Sequence, residues 1–206
     1  MGIRVNLGCG CQLPKGWVNV DYALGARLMR IPFFRTVNKK FHLFNMEWDD
    51  NILLHDLTTP FPWAGNSVDA IYSSHTLEHL SREQGREFLR QCHRVLRPGG
   101  VIRIVVPDLS CMVRRYMEGE LKAEDFVEAL GVLYLDSGSR LKNRLAPFVQ
   151  FPHKCMYDTP ALISSMSEIG FEAKGMGAFE SVIEDIREIE TEDRTRDAAI
   201  VEAVKA

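Results

Sequence analysis

The sequence predicts an α/β protein in which parallel strands and crossover helices form a doubly wound sheet. Short apolar segments typical of buried strands recur along the chain, and most of them end on an acidic or small residue. A strongly amphipathic helical pattern separates the fourth of these segments from the fifth. The chain has 206 residues, of which 46% are hydrophobic, so it is long enough to bury one substantial core.

The N-terminal segment predicts a strand, a tight turn and a second strand. Residues 3–7 form the first apolar run, a Gly-Cys-Gly turn follows at 8–10, and residues 17–20 lead to Asp21. Glycine lets a backbone approach a ligand closely because it has no Cβ atom. An acid at the tip of a second strand can accept hydrogen bonds from both hydroxyls of a ribose. This segment therefore predicts a site for an adenosine-like cofactor.

The next part of the chain predicts an insertion followed by two strands. In residues 22–50, basic residues alternate with apolar ones and Pro32 interrupts any long helix, so we expect one short helix and a loop. Residues 51–56 predict the third strand, which again ends on an acid. Residues 67–73 predict the fourth strand.

The clearest helix signal begins at Ser81. Ser81 and Gln84 match a capping box, and apolar residues follow them at helical spacing. The Pro-Gly-Gly sequence at 98–100 is expected to stop this helix. Residues 101–106 are nearly all apolar and β-branched, which is typical of a strand at the centre of a parallel sheet.

Residues 109–157 interrupt the alternation of strands and helices, and we expect them to form a helical lid. Two helices are predicted, at 109–118 and at 123–135. A polar stretch that contains glycine follows at 136–144. A lid of this kind would exclude water from a site and select its substrate.

The C-terminal part predicts one more helix and a final pair of strands. Thr159 is the expected cap of the helix, Pro160 its first residue and Gly170 its end. Residues 171–174 predict the sixth strand and residues 198–204 the last. Ligands of such sheets bind at the carboxyl ends of the strands, beside the reversal in strand order.

Composition and charge argue against several classes of protein. The net charge is −3 and the pI is about 6.1, whereas a nucleic-acid surface is usually basic. The five cysteines include no C-x-x-C pair, so we expect reduced thiols and a cytoplasmic protein. Because the chain opens directly into a strand, we expect no signal peptide. No uncharged apolar run approaches the roughly 18 residues of a membrane span.

Six short pieces resemble class I S-adenosylmethionine-dependent methyltransferases, close to the type-11 methyltransferase domain. In chain order they are Asn6-Leu7-Gly8-Cys9-Gly10, Val20-Asp21, Asp56-Leu57, the run 67–75, Leu77-Glu78-His79 and the run 94–100. The resemblance covers positions 3–110 well and 153–206 loosely. It implies a mostly parallel, seven-stranded Rossmann-like sheet with an antiparallel last strand, in a single domain that spans residues 1–206.

The resemblance also implies S-adenosyl-L-methionine as the cofactor and a set of residues that bind it. Gly8 and Gly10 would pack against the methionine and ribose, and Asp21 would bind the ribose hydroxyls. Asp56 would accept a hydrogen bond from the adenine amino group, and Leu57 would lie against the ring. The full implied set is Asn6, Gly8, Cys9, Gly10, Asp21, Asp56, Leu57, Ser73, Ser74 and His75.

Within that set, Ser73 and His75 would lie beneath the sulfonium. The sequence departs from the family pattern in two places. Asn6 stands where the family usually has an acid, so it cannot bind the cofactor's ammonium group by charge. Only ten residues separate Gly10 from Asp21, so the usual first helix is missing or reduced to a turn.

These features predict a methyltransferase that acts on a small molecule or a biosynthetic intermediate. His75 and His153 are the candidate catalytic residues, because an imidazole can act as a general base where the acceptor must lose a proton. The alternative is a protein that binds the cofactor without transferring its methyl group, as a regulator. Asn6 and the shortened first crossover suggest that alternative.

Two other enzyme classes share part of the pattern. A nicotinamide-dependent oxidoreductase needs Gly-x-Gly-x-x-Gly at the start of a helix, and the third glycine is missing here. Residues 75–79 match the H-x-x-E-H pattern of zinc metalloproteases, which needs both histidines on one face of a helix. Because this pattern precedes the Ser81 cap, we expect it in a loop or a single turn, without a metal.

Overall fold

The computed structural model describes residues 2–41, 48–134 and 150–206, together with residues 138, 140, 144 and 146. These residues contain seven strands: β1 (Ile3–Leu7), β2 (Val18–Asp21), β3 (Leu53–Leu54), β4 (Val68–Ser74), β5 (Leu96–Pro107), β6 (Phe171–Gly175) and β7 (Ala198–Lys205). Their order across one sheet is β3-β2-β1-β4-β5-β7-β6. Only β7 runs antiparallel to its neighbours. The predicted doubly wound sheet with an antiparallel last strand is therefore confirmed.

Helices pack on the sheet and connect its strands. Those in the described residues are α1 (Leu24–Leu28), α2 (Phe34–Phe41), α3 (Arg82–Val95), α4 (Leu109–Met117), α5 (Ala123–Ala129), α6 (Thr159–Ser167) and α7 (Glu192–Thr195). Two 3₁₀ turns span Leu77–His79 and Ile186–Glu188. None of these helices is long and apolar enough to cross a membrane.

The connection between β1 and β2 is a turn in place of a crossover helix, as the ten-residue spacing predicts. The backbone N–H groups of Gly8 and Cys9 both donate to the carbonyl of Val20, each at 2.9 Å. The turn therefore folds back directly onto the end of β2. This brings the glycine backbone next to the strand tip that carries Asp21.

Residues 22–54 differ from the sequence-based expectation. Two short helices occur where one was expected, because Pro32 and Phe33, which has a positive φ of 67°, separate α1 from α2. Residues 42–47 of the expected insertion lie outside the described part. The third strand is only the two residues of β3, shorter than the predicted 51–56, because Asp56 turns the chain by accepting from the backbone of Thr58.

The capping box of α3 is present as predicted. Ser81 Oγ accepts from the backbone N–H of Gln84, whose side chain accepts in turn from the backbone of Ser81. The following strand begins earlier than residue 101, since Leu96 already pairs with Val68. A register shift in β4 lets the Pro-Gly-Gly segment bulge within β5.

In residues 109–170, three helix boundaries differ from those predicted from the sequence. α4 ends at Met117, close to the prediction, whereas α5 ends at Ala129 because Gly131 has a positive φ of 64°. Residue 135 and most of the polar stretch 136–144 lie outside the described residues. The cap of α6 is Asp158, whose side chain accepts from the N–H of Ala161 at 2.8 Å, so Thr159 is wrong as the cap. This helix ends at Ser167, before the predicted Gly170.

The sheet has an apolar core on each face. One core packs Phe88, Leu89 and Cys92 of α3, together with Leu162 and Met166 of α6, against the strands. The opposite core contains Trp17, Tyr72, Val105, Ile183, Ile186, Ile189 and Ile200. Because side chains alternate along a strand, the two cores take alternate residues of β4 and β5.

A buried arginine forms a network of hydrogen bonds on the second face of the sheet. Arg103 lies on β5 and is fully buried, and its guanidinium donates to both carboxylate oxygens of Glu190 at 2.8 and 2.9 Å. It also donates to the carbonyls of Gly177 and Glu180, and it lies 3.4 Å from Glu202. Planar, bidentate pairing of this kind suits arginine. No local sequence pattern predicts this role, because Glu190 lies 87 residues from Arg103 in the chain.

Candidate functional site

A cavity of about 610 Å³ opens at the carboxyl ends of β1, β2 and β3, where the order of strands reverses. Its size is typical of a site for a small ligand. Its walls are made by Gly8, Gly10, Asp21, Tyr22, Ala23, Gly25, Trp48, Asp56, Leu57, Thr58, His75, Thr76, His79, Leu80, Phe151 and Arg194. Six of the ten predicted cofactor-binding residues lie in this wall: Gly8, Gly10, Asp21, Asp56, Leu57 and His75.

The glycine turn exposes bare backbone to the cavity. Gly8 has a positive φ of 74°, and a Cβ atom added there would lie 1.9 Å from Oγ1 of Thr76. Gly10 also has a positive φ, of 54°, which L side chains rarely adopt. Only glycine satisfies both the conformation and the space at position 8.

Asp21 is nearly buried at the tip of β2, and its carboxylate is held by two backbone groups. Oδ2 accepts from the N–H of Gly10 at 2.8 Å, and Oδ1 accepts from the N–H of Ala23 at 2.7 Å. A carboxylate has about four acceptor positions, so two remain for a ligand after these bonds form. The geometry therefore presents an oriented acceptor for hydroxyl groups.

Asp56 provides a second carboxylate, just after the end of the neighbouring strand β3. Its Oδ1 accepts from the backbone N–H of Thr58 at 2.9 Å and from the Thr58 hydroxyl at 2.7 Å. Oδ2 has no partner among the described residues. Leu57 follows directly and adds an apolar wall. Together the two residues suit an aromatic ring that carries an amino group.

His75 follows β4 with a positive φ of 50°, an uncommon conformation for a residue other than glycine. Its Nε2 lies 2.9 Å from the carbonyl oxygen of Arg194, and its Nδ1 lies 3.4 Å from Oε1 of Glu78. Burial lowers the pKa of His75, but the Glu78 carboxylate and the Arg194 carbonyl outweigh it, and the net pKa is raised. Both ring nitrogens therefore face acceptors, which favours a protonated ring.

The other four predicted cofactor-binding residues lie behind the cavity wall. Asn6 is buried and donates to the carbonyl of Gln12 and to the side chain of Asn19, at 3.0 and 3.1 Å. Ser73 Oγ donates to the carbonyl of Leu7 at 3.0 Å. These two side chains hold the ends of the central strands together.

Cys9 and Ser74 are also buried. Cys9 packs in a small apolar cluster with Trp48, and its burial raises the pKa of the thiol to about 12. The Ser74 hydroxyl has no hydrogen-bond partner among the described residues. Neither side chain belongs to the cavity wall as the structure places it.

His153, the second candidate catalytic residue, is likewise not among the described residues that line the cavity. Its Nδ1 lies 2.7 Å from the carbonyl oxygen of Leu130, and its ring lies 5.0 Å from that of His79. His79 itself belongs to the wall. The expected turn at 75–79 is confirmed, because it forms a 3₁₀ turn over Leu77–His79.

Several wall residues were missed because they come from distant parts of the chain. Trp48 closes one side, and its ring would lie 2.1 Å from a Cβ atom at Gly25. Phe151 comes from the segment before α6, and Arg194 comes from α7. In the sequence, the aromatic character of Trp48 and Phe151 was the only sign that they could line a cavity. Nothing in the sequence indicated this for Arg194.

Comparison with known proteins finds one family that resembles this chain. Residues 6–104 match the family described as "Methyltransferase domain". This stretch includes the glycine turn, both cavity carboxylates and His75. This part of the chain, just under half of its 206 residues, is similar to a methyltransferase domain. The predicted resemblance is therefore confirmed, whereas the curated proteins include no match to this sequence.

Solved structures support the fold of this chain. A SAM-dependent methyltransferase from Methanosarcina mazei is 16% identical, with 98% of this chain and 91% of that chain covered and a TM-score of 0.53. YcgJ from Bacillus subtilis is 13% identical, with 99% and 92% covered and a TM-score of 0.51. The CurJ carbon methyltransferase is 15% identical, with 100% and 49% covered and a TM-score of 0.50.

S-adenosylmethionine is the cofactor implied by the match to a methyltransferase domain, and the cavity of this chain fits it. Gly8 and Gly10 bring bare backbone to the cavity wall, and the place of a Cβ atom at Gly8 is taken by the Thr76 side chain. Two carboxylates at neighbouring strand tips, Asp21 and Asp56, suit the hydroxyl and amino groups of an adenosyl moiety. Carboxylates also suit a ligand that is cationic at sulfur.

Proposed function

We propose that this chain transfers a methyl group from S-adenosylmethionine to a small molecule or a biosynthetic intermediate. The observation that carries the proposal is the wall of the cavity. It joins the glycine turn and two strand-tip carboxylates to Phe151, which belongs to the segment 109–157 expected to act as a lid. A ligand held at the strand ends would thus have its far side covered by that segment. The acidic net charge of −3 supports an acceptor other than nucleic acid.

In this proposal the cavity residues keep the roles expected from the sequence. Asp21 binds the ribose hydroxyls, Asp56 accepts from the adenine amino group, and Leu57 packs on the ring. The backbone at Gly8 and Gly10 contacts the ribose and methionine. The buried residues Asn6, Cys9, Ser73 and Ser74 act indirectly, because their packing and hydrogen bonds support the strand ends.

The cofactor supplies an electrophilic methyl group on a sulfonium, whose thioether is already a good leaving group. The protein therefore has to hold the acceptor in line and exclude water. We infer that His75 is a positioning residue. Its two ring nitrogens face acceptors on Arg194 and Glu78, so the ring links Glu78 to Arg194 of the cavity wall. A free lone pair for proton abstraction is not offered by this arrangement.

The protein is also proposed to be a single domain that works in the cytoplasm. All five cysteines lie in the described residues, and none of them forms a disulfide. Reduced thiols are usual in a reducing compartment. The test is fractionation of a cell that expresses a tagged form.

Transfer of a radiolabelled methyl group tests the proposal. Purified protein is incubated with labelled S-adenosylmethionine and a cell extract that has been split into small molecules and macromolecules. We expect label in the small-molecule fraction, and much less of it with Asp21→Ala at the same low concentration of labelled cofactor. Label confined to macromolecules would refute the acceptor class. Cofactor binding without label in any fraction would favour the regulatory alternative.

A further inference from the structure

Three side chains with metal-binding atoms meet where the 3₁₀ turn contacts the segment before α6. They are Glu78, His79 and His153, and one ligand atom from each lies within 4.8 Å of the other two. Glu78 and His79 belong to the turn, whereas His153 comes from 75 residues further along the chain. The fold therefore assembles this cluster from two separate segments.

The carboxylate of Glu78 is almost fully buried, with 1% of the residue exposed. Neither of its oxygens has a hydrogen-bond partner among the described residues. The nearest side-chain nitrogen atoms are Nδ1 of His75 at 3.4 Å and Nε2 of His153 at 4.0 Å, both beyond good hydrogen-bond length. A buried carboxylate without partners is unstable unless a cation lies beside it.

The backbone of Glu78 fixes the position of this carboxylate. Its carbonyl oxygen accepts from the N–H groups of Lys154 at 2.8 Å and Cys155 at 3.1 Å. The turn and the segment before α6 are therefore joined at the cluster itself. Such backbone support limits how far the carboxylate can withdraw towards solvent.

The two histidines present suitable nitrogen atoms. His153 has its Nδ1 directed at the carbonyl of Leu130 at 2.7 Å, a bond that places the proton on Nδ1 and leaves Nε2 as an acceptor towards Glu78. Metal-binding histidines usually make this second hydrogen bond to a carbonyl or carboxylate. Nδ1 of His79 is buried without a hydrogen-bond partner among the described residues.

We propose that Glu78, His79 and His153 bind a divalent transition-metal ion such as Zn²⁺. Two imidazoles and one carboxylate form a donor set that zinc accepts, with bonds of about 2.0–2.2 Å. Ligand atoms around a tetrahedral ion lie roughly 3.5 Å apart by that geometry. Oε1 of Glu78 and Nε2 of His153 lie 4.0 Å apart, about 0.5 Å beyond this spacing.

The position of the ion links it to the cavity. Three protein ligands leave one coordination position open. His79 also lines the cavity, so an ion bound by this cluster would lie next to the cavity. Coordination of an acceptor oxygen there rests on the proposed methyl transfer, whereas metal binding itself does not. The ion would also fasten the segment around residues 150–155 to the turn.

Metal content tests the proposal directly. Untagged protein is stripped with a chelator, dialysed against a low concentration of ZnCl₂ and assayed for zinc per chain. We expect one ion per chain, with at least tenfold weaker binding for His153→Gln and for Glu78→Gln. The matched control is His93→Gln, because the His93 ring packs edge-on against Phe171 in a separate groove. That variant should bind as the wild type does.

Two further measurements keep the test independent of folding and of activity. Co²⁺ is added in place of zinc, and its visible absorption should change in His153→Gln, whose far-UV circular dichroism should match the wild type. The proposal would be overturned if the wild-type protein bound no zinc, or if His153→Gln bound it equally well. The cluster would then be an interaction of histidines with a carboxylate only. Binding of S-adenosylhomocysteine by the metal-free protein reports separately on the proposed function.

Discussion

Oδ2 of Asp21 accepts a hydrogen bond of 2.8 Å from the backbone N–H of Gly10. This bond joins the tip of β2 to the glycine turn, which lies in the space where a crossover helix would otherwise begin. A shortened connection can therefore still present a carboxylate and bare backbone to one ligand.

Replacing Gly8 with alanine should destabilise the protein more than its backbone conformation alone requires. A positive φ costs an L residue about 1–2 kcal/mol, and the new Cβ would also meet Thr76 at 1.9 Å. Gly119→Ala is the matched control, since its φ is 78° and a Cβ atom there meets nothing within 4 Å. Urea unfolding of both variants measures the difference. Equal losses would mean that Thr76 moves aside at no cost.

Replacing the buried Arg103 should strongly lower the stability of the folded protein. Arg103→Met leaves Glu190 and Glu202 buried without their cation, and we expect a loss of about 3–5 kcal/mol in the free energy of unfolding. Arg97→Met is the control, because its pair with Asp69 is half exposed and should contribute less than about 1 kcal/mol. Thermal and urea unfolding check both. A loss below 1 kcal/mol for Arg103→Met would contradict the assigned role.

Asp158 and Thr159 can be distinguished as the cap of α6. Asp158→Ala removes the acceptor for the N–H of Ala161 and should cost about 0.5–2 kcal/mol. Thr159→Ala should cost only a few tenths, because position 159 is already helical. Urea denaturation provides both values, and the reverse order would restore Thr159 as the cap.

The raised pKa of His75 predicts a pH-dependent contribution to stability. A group whose pKa is higher in the folded protein adds stability below its unfolded value of about 6.5, and this is lost as the pH rises through the folded pKa. The stability difference between wild type and His75→Gln should therefore be larger at about pH 5.5 than at about pH 8.5.

His93 provides a control of opposite sign for that experiment. Burial and the nearby Lys205 lower the pKa of His93, so this ring favours the folded state more as the pH rises. Unfolding of His93→Gln should show the wild type gaining relative stability towards high pH. A His75→Gln difference that rises in the same direction would contradict the raised pKa.

Much of the fold was predictable because the local sequence patterns agree with the tertiary structure. The strand at 3–7, the Gly-Cys-Gly turn and Asp21 are adjacent in sequence, so their meeting needs no long-range information. The capping box of α3 is equally local. The cap of α6 was misassigned because Asp158 and Thr159 are both good capping residues and only the backbone conformation separates them.

The remaining features depend on distant contacts. Trp48, Phe151 and Arg194 reach the cavity from three separate segments, and no spacing in the sequence connects them. Arg103 sits in an apolar run, and its partner Glu190 lies 87 residues away. The β3 strand was overestimated because an edge strand ends where a local turn captures the backbone, here at Asp56.

The most direct test of the central claim is the affinity of S-adenosylhomocysteine, measured by calorimetry for the wild type, Asp21→Ala and Asp69→Ala. Asp69 is the control, because it lies at the opposite end of β4 and pairs with Arg97. We predict that Asp21→Ala loses about 1.5–3 kcal/mol of binding free energy, roughly 10- to 150-fold in affinity, while Asp69→Ala binds normally. Equal affinities for all three proteins would contradict an adenosyl site at the tips of these strands.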